Sequence, residues 1–110
     1  MVTLLQTLHL ATPLPGPEAR ALDERAGTAL PRALIAAMPT FARRTDHGVL
    51  EDVDGNRLID FGSGIAVTTV GGAAAPVVAA IQKQAENLTH TSFAVTRCAE
   101  SGRASCRERV

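Results

Sequence analysis

The residues VLEDVDGNRLIDFGSGIAV, at positions 49–67, constrain the fold of this chain more than any other stretch. The pair Asp54-Gly55 stands between two runs of strand-forming residues, which is among the strongest local signals for a β-hairpin. We therefore expect residues 49–53 to pair with residues 56–61.

The type of turn decides which side chains face each other across this hairpin. A two-residue turn would place Asp52 opposite Arg57 and Leu50 opposite Ile59, which gives one ionic and one apolar cross-strand pair. A bulged three-residue turn would shift the pairing by one residue. The sequence leaves both registers open.

Three acidic residues crowd this turn: Glu51, Asp52 and Asp54. A calcium-binding loop needs oxygen ligands at its first and last positions. With the turn glycine in the glycine position of such a loop, those two places are taken by Leu50 and Phe61. The acidic cluster therefore predicts a solvated hairpin and not a calcium site.

Elsewhere the residues of metal and hydrolytic chemistry are scattered along the chain. His9, His47 and His90 are far apart, and no pair has the spacing of metal ligands. Ser63 and Ser92 have no base or orienting carboxylate that the sequence reveals. The residues alone predict neither a metal site nor a hydrolase triad.

A glycine bend follows the hairpin, where Gly62 and Gly64 flank Ser63. Phosphate-binding loops use similar spacing, but a dinucleotide fingerprint would need a third glycine where Val67 stands, followed directly by a helix. We interpret this stretch as a bend in which the backbone approaches another group.

Two helices are predicted on either side of the hairpin and bend. Prolines in TPLPGPEAR precede a helix that begins at Pro17 and should end near Pro31. The second helix, at residues 76–88, is amphipathic, and the following residues 89–96 predict a short extended segment. Its apolar face is formed by Val77, Val78, Ile81, Ala85 and Leu88.

Composition narrows the class of protein. Eleven basic and eleven acidic residues balance, so the chain lacks the positive charge that binding to nucleic acid or anionic membranes requires.

Cys98 and Cys106 are predicted to be reduced and to have no structural role. Residues 1–16 lack the basic start of a signal peptide and are expected to form a flexible leader. We expect a cytoplasmic protein.

Two longer stretches carry a family resemblance: LEDVDGNRLIDFGSGIAVTTVG and, after a nearby proline, VVAAIQKQAENLTHTSFAVT. Together they resemble the N-terminal part of class III pyridoxal-phosphate aminotransferases, most of all the members that act on 4-aminobutyrate. The likeness covers residues 14–96. It implies an α+β fold in which residues 17–96 are the N-terminal segment of a fold-type I aminotransferase, an incomplete domain of helical arm, β-hairpin and amphipathic helix.

This resemblance implies an activity, a cofactor and an assembly. Enzymes of the family hold pyridoxal 5'-phosphate as a Schiff base on a lysine and are homodimers. The members resembled most transfer the ω-amino group of 4-aminobutyrate to 2-oxoglutarate, which gives succinate semialdehyde and glutamate. Members that act on acetylornithine or ornithine share the same elements and are an alternative. Another alternative is a small non-enzymatic interaction module that docks through the helix at residues 76–88.

Ile65 is the one residue that the resemblance implies as substrate-binding, because an aliphatic wall suits the methylene chain of the donor. The alternative is an ordinary buried core isoleucine. The family's phosphate-binding segment, Schiff-base lysine and substrate-binding arginines are expected beyond residue 110, and Lys83, the only lysine, lies on a polar helix face. No catalytic or cofactor-binding residue is therefore expected in this chain, which is predicted to be inactive alone. Gly72 departs from the His or Asn of many members.

The end of the chain does not resemble the family. Where relatives would continue with a Pro-Tyr-Glu-like segment, this chain has RCAESGRASCRERV. Its last residues, 102–110, can be written in codons that look like a translated sequencing adapter. We therefore expect residues 97–110 to be a non-native tail.

Overall fold

The computed structural model of the chain describes residues 3–31, 33–34, 36–92 and 94–96. The chain divides into two compact units, with the boundary between Ala74 and Ala75. The expected tail at residues 97–110, which includes both cysteines, lies outside the described residues.

The first unit combines helices with an antiparallel sheet. Its elements are α1 (Pro17–Ala29), β1 (Ala42–Asp46), β2 (Val49–Asp52), β3 (Arg57–Ile59) and the short α2 (Ser63–Ala66). The three strands lie in the order β1-β2-β3. This mixture agrees with the expected α+β class. The predicted hairpin is formed by β2 and β3, whereas β1 was not anticipated from the sequence.

The hairpin closes through a three-residue turn. Leu50 lies opposite Leu58, and the backbone N–H of Asp52 donates to the carbonyl of Asn56 at 2.9 Å. Gly55 has the positive φ of +83° that this turn type requires. The bulged register is therefore confirmed, and the two-residue register is wrong.

Side chains of the turn explain this register. Asp52 and Asn56 are both fully buried. Oδ1 of Asp52 accepts hydrogen bonds from the backbone N–H groups of Asn56 at 2.8 Å and Asp54 at 3.0 Å. Its Oδ2 accepts a hydrogen bond from the side-chain Nδ2 of Asn56 at 2.8 Å. The N–H of Thr12 donates to Oδ1 of Asn56 at 2.9 Å. The prediction of a solvated acidic hairpin is wrong at Asp52, because internal donors replace water around its carboxylate.

Residues 3–16, the expected leader, contact the sheet at more than one point. His9 and Arg57 exchange two backbone hydrogen bonds of 3.0 and 2.7 Å. Leu4 is only 4% exposed and donates its N–H to Oδ2 of Asp46 at 2.7 Å. The leader is thus held against the sheet by specific contacts, while its flexibility stays a prediction.

Helix α1 begins and ends where the prolines predicted, and its first turn is capped by the hairpin. The N-cap residue, Gly16, has no side chain that could accept a hydrogen bond. Instead the carboxylate of Asp54 accepts the N–H groups of Glu18 at 2.8 Å and Ala19 at 3.0 Å. A Cβ on Gly16 would collide with that carboxylate. Glycine is therefore what lets the hairpin supply the cap.

The second unit contains helix α3 (Ala75–Asn87), which confirms the amphipathic helix predicted at residues 76–88. None of its residues is buried. The prediction of an extended segment at residues 89–96 is wrong at the end of that range. There the N–H of Val95 donates to the carbonyl of Ser92 at 2.9 Å and closes a turn. A lone extended segment leaves its backbone groups without protein partners, and the turn supplies one.

Candidate functional site

The bend after β3 is the segment that the sequence marks for function, and Asp60 anchors it. Oδ1 of Asp60 accepts the backbone N–H groups of Gly62 at 3.0 Å and Ser63 at 2.8 Å. The N–H of Ile65 donates to the carbonyl of Gly62 at 2.7 Å. The segment is a bend, as predicted, and the N–H groups that a phosphate would need are engaged inside it.

The bend is left-handed over the whole of α2. The φ angles are +46° at Ser63, +61° at Gly64, +61° at Ile65 and +63° at Ala66. Left-handed backbone costs an L-residue roughly 1–2 kcal/mol, and β-branched residues avoid it most. Only Gly64 adopts this conformation without strain. Backbone strain of this kind is concentrated at functional sites.

Ile65 projects into solvent from this strained turn, with 95% of its surface exposed. No core residue of the described chain covers Ile65, but the chain is expected to be an incomplete domain, so the alternative of a buried core isoleucine in a complete enzyme also stays open. Phe61 and Val67, on either side, are 92% and 75% exposed. Exposed apolar residues in such a concentration are typical of a contact surface. The role of Ile65 in substrate binding stays a prediction.

In the part of the chain that the structure describes, the charged pairs lie in the sheet or directly beside it. Nε and Nη2 of Arg44 donate to the two carboxylate oxygens of Glu51 at 2.8 and 3.0 Å, which holds the pKa of Glu51 below its usual value. Asp46 accepts the N–H of Leu4, and its Oδ1 lies 2.6 Å from Nδ1 of His47. The Leu4 N–H first, and then His47, lower the pKa of Asp46. These pairs connect neighbouring segments of the first unit.

The histidines are used in separate ways. His9 pairs with β3 through its backbone, and the ring of His47 contacts Asp46. Within residues 3–96, apart from the three undescribed positions 32, 35 and 93, no three His, Cys, Asp or Glu side chains form a group that could hold a metal ion.

Sequence reasoning missed the structural roles of two residues in the first unit, Asp60 and Gly72. Asp60 could have been found from the Asp-x-Gly-Ser pattern, because Asp side chains often accept N–H groups two residues further on. Gly72 exchanges backbone hydrogen bonds of 2.9 and 2.7 Å with His47, and a Cβ on Gly72 would lie 2.6 Å from Cβ of Thr45. Local packing therefore excludes a larger side chain at position 72 of this chain.

Known proteins resemble this chain over most of its length. The model of the family Aminotransferase class-III matches residues 33–107. The 4-aminobutyrate aminotransferase of Mycobacterium leprae is 47% identical over 96 residues, which cover 87% of this chain and 22% of that protein. Two relatives are 39% identical over 74 residues, 67% of this chain and 17% of each relative. They are the 4-aminobutyrate aminotransferase GabT of Escherichia coli and the 5-aminovalerate aminotransferase DavT of Pseudomonas aeruginosa.

The chain spans 22% or less of the length of these relatives. The family match reaches into residues 97–110, whose non-native origin stays a prediction. In the part of the chain that the structure describes, no helix has the length and apolar character needed to cross a bilayer. Because the family match covers well over half of its residues, the chain belongs to the class III aminotransferase family.

Proposed function

We propose that this chain is the N-terminal segment of a fold-type I, pyridoxal-phosphate-dependent enzyme that transfers the ω-amino group of 4-aminobutyrate to 2-oxoglutarate. The products are succinate semialdehyde and glutamate. The supporting observation is 47% identity over 87% of the chain to a relative named for 4-aminobutyrate, against 39% over 67% to one named for 5-aminovalerate. The complete enzyme in this proposal is a cytoplasmic homodimer without nucleic-acid or membrane partners.

The described residues do not by themselves fit the cofactor. A Schiff base to pyridoxal phosphate needs a lysine in an enclosed site, but Lys83 lies exposed on α3. A phosphate group needs free backbone N–H groups, but those of Gly62 and Ser63 already donate to Asp60. In our proposal other parts of the enzyme hold the cofactor, and this chain alone does not transaminate.

The contribution of this segment to the reaction is the side chain of Ile65. Its exposed aliphatic group can pack along the methylene chain of a donor, at about 0.8 kcal/mol for each CH₂ removed from water. Asp60 fixes the bend on which Ile65 stands. A donor with a polar branch beside the amino group would lose hydrogen bonds to water against this wall and is disfavoured.

Donors of another length or type are the nearest alternative. The Escherichia coli relative named for 4-aminobutyrate and the Pseudomonas aeruginosa relative named for 5-aminovalerate are both 39% identical to this chain. Identity to these two relatives therefore favours neither donor. One methylene in an apolar pocket changes specificity by only about 1–3 kcal/mol. Acetylornithine and ornithine also remain alternatives, and kinetics must separate these donors.

A chimeric enzyme tests both the donor and the role of Ile65. Residues 17–96 would replace the matching segment of the Mycobacterium leprae relative, and kcat/KM would be measured with 4-aminobutyrate, 5-aminovalerate and ornithine. We expect the highest value with 4-aminobutyrate. Ile65→Ala should lower it about tenfold, while Val70→Ala, at a position that is 67% exposed, should leave it unchanged.

Each outcome of the chimera experiment bears on a separate part of the proposal. A preference for ornithine would overturn the donor but leave the class of reaction. An unchanged kcat/KM in Ile65→Ala would remove Ile65 from the substrate site.

The proposal that this chain holds no cofactor is tested by adding pyridoxal phosphate to it. We expect no stoichiometric internal-aldimine absorbance. A specific absorbance that is lost in Lys83→Ala would contradict this expectation, because Lys83 is the only lysine.

One observation favours an interaction module instead. Helix α3 has no buried residue, and Val77 and Ile81 on its apolar face are 45% and 63% exposed. An independent module should unfold in one two-state transition that includes α3. Calorimetry together with circular dichroism of the 110-residue chain would detect it. Separate melting of α3 would instead support a segment that needs the rest of an enzyme.

A further inference from the structure

One face of the sheet carries an open apolar groove of about 600 Å³. Its floor includes the cross-strand pair Leu50 and Leu58. The apolar lining also includes Leu8 from the leader, Met38 from the connection before β1 and Phe61 after β3. This volume lies in the range of ordinary small-molecule sites, which are mostly apolar with few polar groups.

A carboxylate belongs to the lining of this groove, on the residue directly after β3. Among the described residues of the lining, Asp60 is the one ionisable residue, and the hydroxyl of Thr40 is the other polar side-chain group. Gly62 and Ser63 hold Oδ1 of Asp60 through their N–H groups. Within the described residues, Oδ2 of Asp60 has no hydrogen-bond partner, so this oxygen can receive a donor from a ligand.

We propose that this groove binds an aliphatic monoamine, with its hydrocarbon chain over Leu50 and Leu58 and its ammonium group at Oδ2 of Asp60. The described lining is mostly apolar and includes one carboxylate, which is complementary to a molecule with one apolar chain and one positive charge. The N–H groups of the bend fix the carboxylate, so it need not be ordered when the amine binds.

The same lining selects against related molecules. An alkanoate would place a negative charge beside Asp60, and an alcohol would form no ion pair there. An ω-amino acid such as 4-aminobutyrate also carries a carboxylate, for which the described part of the lining offers no positive side chain. The proposed amine site therefore differs in its chemistry from the donor role proposed for Ile65. Asp60 takes part in both, and separate experiments test the two proposals.

The test is a titration of the ¹⁵N-labelled 110-residue chain followed by NMR. The probes are butylamine, pentylamine and hexylamine, with 1-hexanol, hexanoate and 4-aminobutyrate for comparison. We expect saturable amide shifts at Leu58 and Gly62 with the amines. Affinity should rise about fourfold for each added methylene, which corresponds to about 0.8 kcal/mol per CH₂.

Two matched variants separate charge recognition from general apolar binding. Asp60→Asn removes the charge but keeps an oxygen for the N–H groups of Gly62 and Ser63, and it should weaken hexylamine binding about fivefold. Asp23→Asn makes the same change at an exposed position on α1 and should have no effect.

Binding of hexanol, hexanoate or 4-aminobutyrate as tightly as hexylamine would overturn the proposal, as would the absence of saturable shifts in the unaltered chain. Equal hexylamine affinity in Asp60→Asn and Asp23→Asn would also overturn it, because the carboxylate would then take no part.

Discussion

Two turns of similar composition have opposite characters in this chain. The hairpin turn, residues 52–56, has two aspartates and one glycine, and the bend, residues 60–66, has one aspartate and two glycines. In the hairpin turn Asp52 is fully buried and both its carboxylate oxygens accept hydrogen bonds. In the bend Asp60 uses one oxygen, the backbone is left-handed from Ser63 to Ala66, and Ile65 is 95% exposed.

The difference comes from what covers each turn. The N–H of Thr12, in the leader, donates to Asn56 of the hairpin turn, and Asp54 of this turn accepts an N–H of α1. The polar groups of the hairpin turn thus have partners within the first unit, whereas the described residues leave Ile65 almost entirely uncovered. The hairpin turn fixes the structure, and the bend presents a surface.

The largest effect is expected at the buried carboxylate of the hairpin turn. Asp52→Ala should lower the free energy of unfolding of the first unit by about 2–4 kcal/mol, because it leaves buried donors without an acceptor. Hydrogen exchange of the β2 and β3 amides measures this loss. Asp23→Ala, at an exposed position of α1, is the control and should change the free energy by less than about 0.5 kcal/mol. Equal effects of the two substitutions would break the contrast between the turns.

The second effect is expected at the cap that joins the hairpin turn to α1. Asp54→Ala should destabilise the first unit by about 1–2 kcal/mol, because the N–H groups of Glu18 and Ala19 lose their acceptor. Gly16→Ala should cost more in the unaltered chain than in Asp54→Ala, because the new Cβ meets the Asp54 carboxylate. A double-mutant cycle followed by hydrogen exchange measures this coupling. Strictly additive effects would show that Gly16 and Asp54 do not constrain each other.

These two predictions also show why the sequence revealed only part of the fold. The hairpin and both long helices follow from local signals, namely Asp-Gly, the flanking prolines and the apolar period. The burial of Asn56 and the cap by Asp54 depend on partners 44 and 35 residues away. No local pattern reports such partners, and for the same reason the pairing of β1 was not predicted.

The candidate site was predictable to a smaller extent. Ile65 was marked by the family resemblance and not by its local chemistry. Its exposure and positive φ could not be inferred, because isoleucine normally avoids this conformation and prefers the core. The hydrogen bonds of Asp60 to the bend could have been predicted, because they follow from the local pattern of an aspartate two residues before a glycine.

The third effect is expected at the strained bend and has the opposite sign. Ile65→Gly should raise the free energy of unfolding by about 1 kcal/mol, because glycine adopts positive φ without strain and no buried contact is lost. Val67→Gly is the control, since Val67 is also exposed but has a φ of −89°. It should lower the free energy by about 0.5–1 kcal/mol. If both substitutions destabilise equally, the bend stores no strain.

The smallest effect is expected from pH, and it reports on the segment that covers the hairpin turn. The N–H of Leu4 and then His47 lower the pKa of Asp46 from its usual value of 3.8, so the folded form binds the Asp46 proton less readily than the unfolded chain does. The stabilisation is therefore complete above the unfolded pKa and is lost as pH falls through the folded pKa. Hydrogen exchange of the hairpin amides between pH 2.5 and 5 should show this loss in the unaltered chain and a shallower one in Asp46→Asn. An identical pH dependence in the two chains would mean that the contact between Asp46 and Leu4 does not help to hold the leader on the hairpin turn.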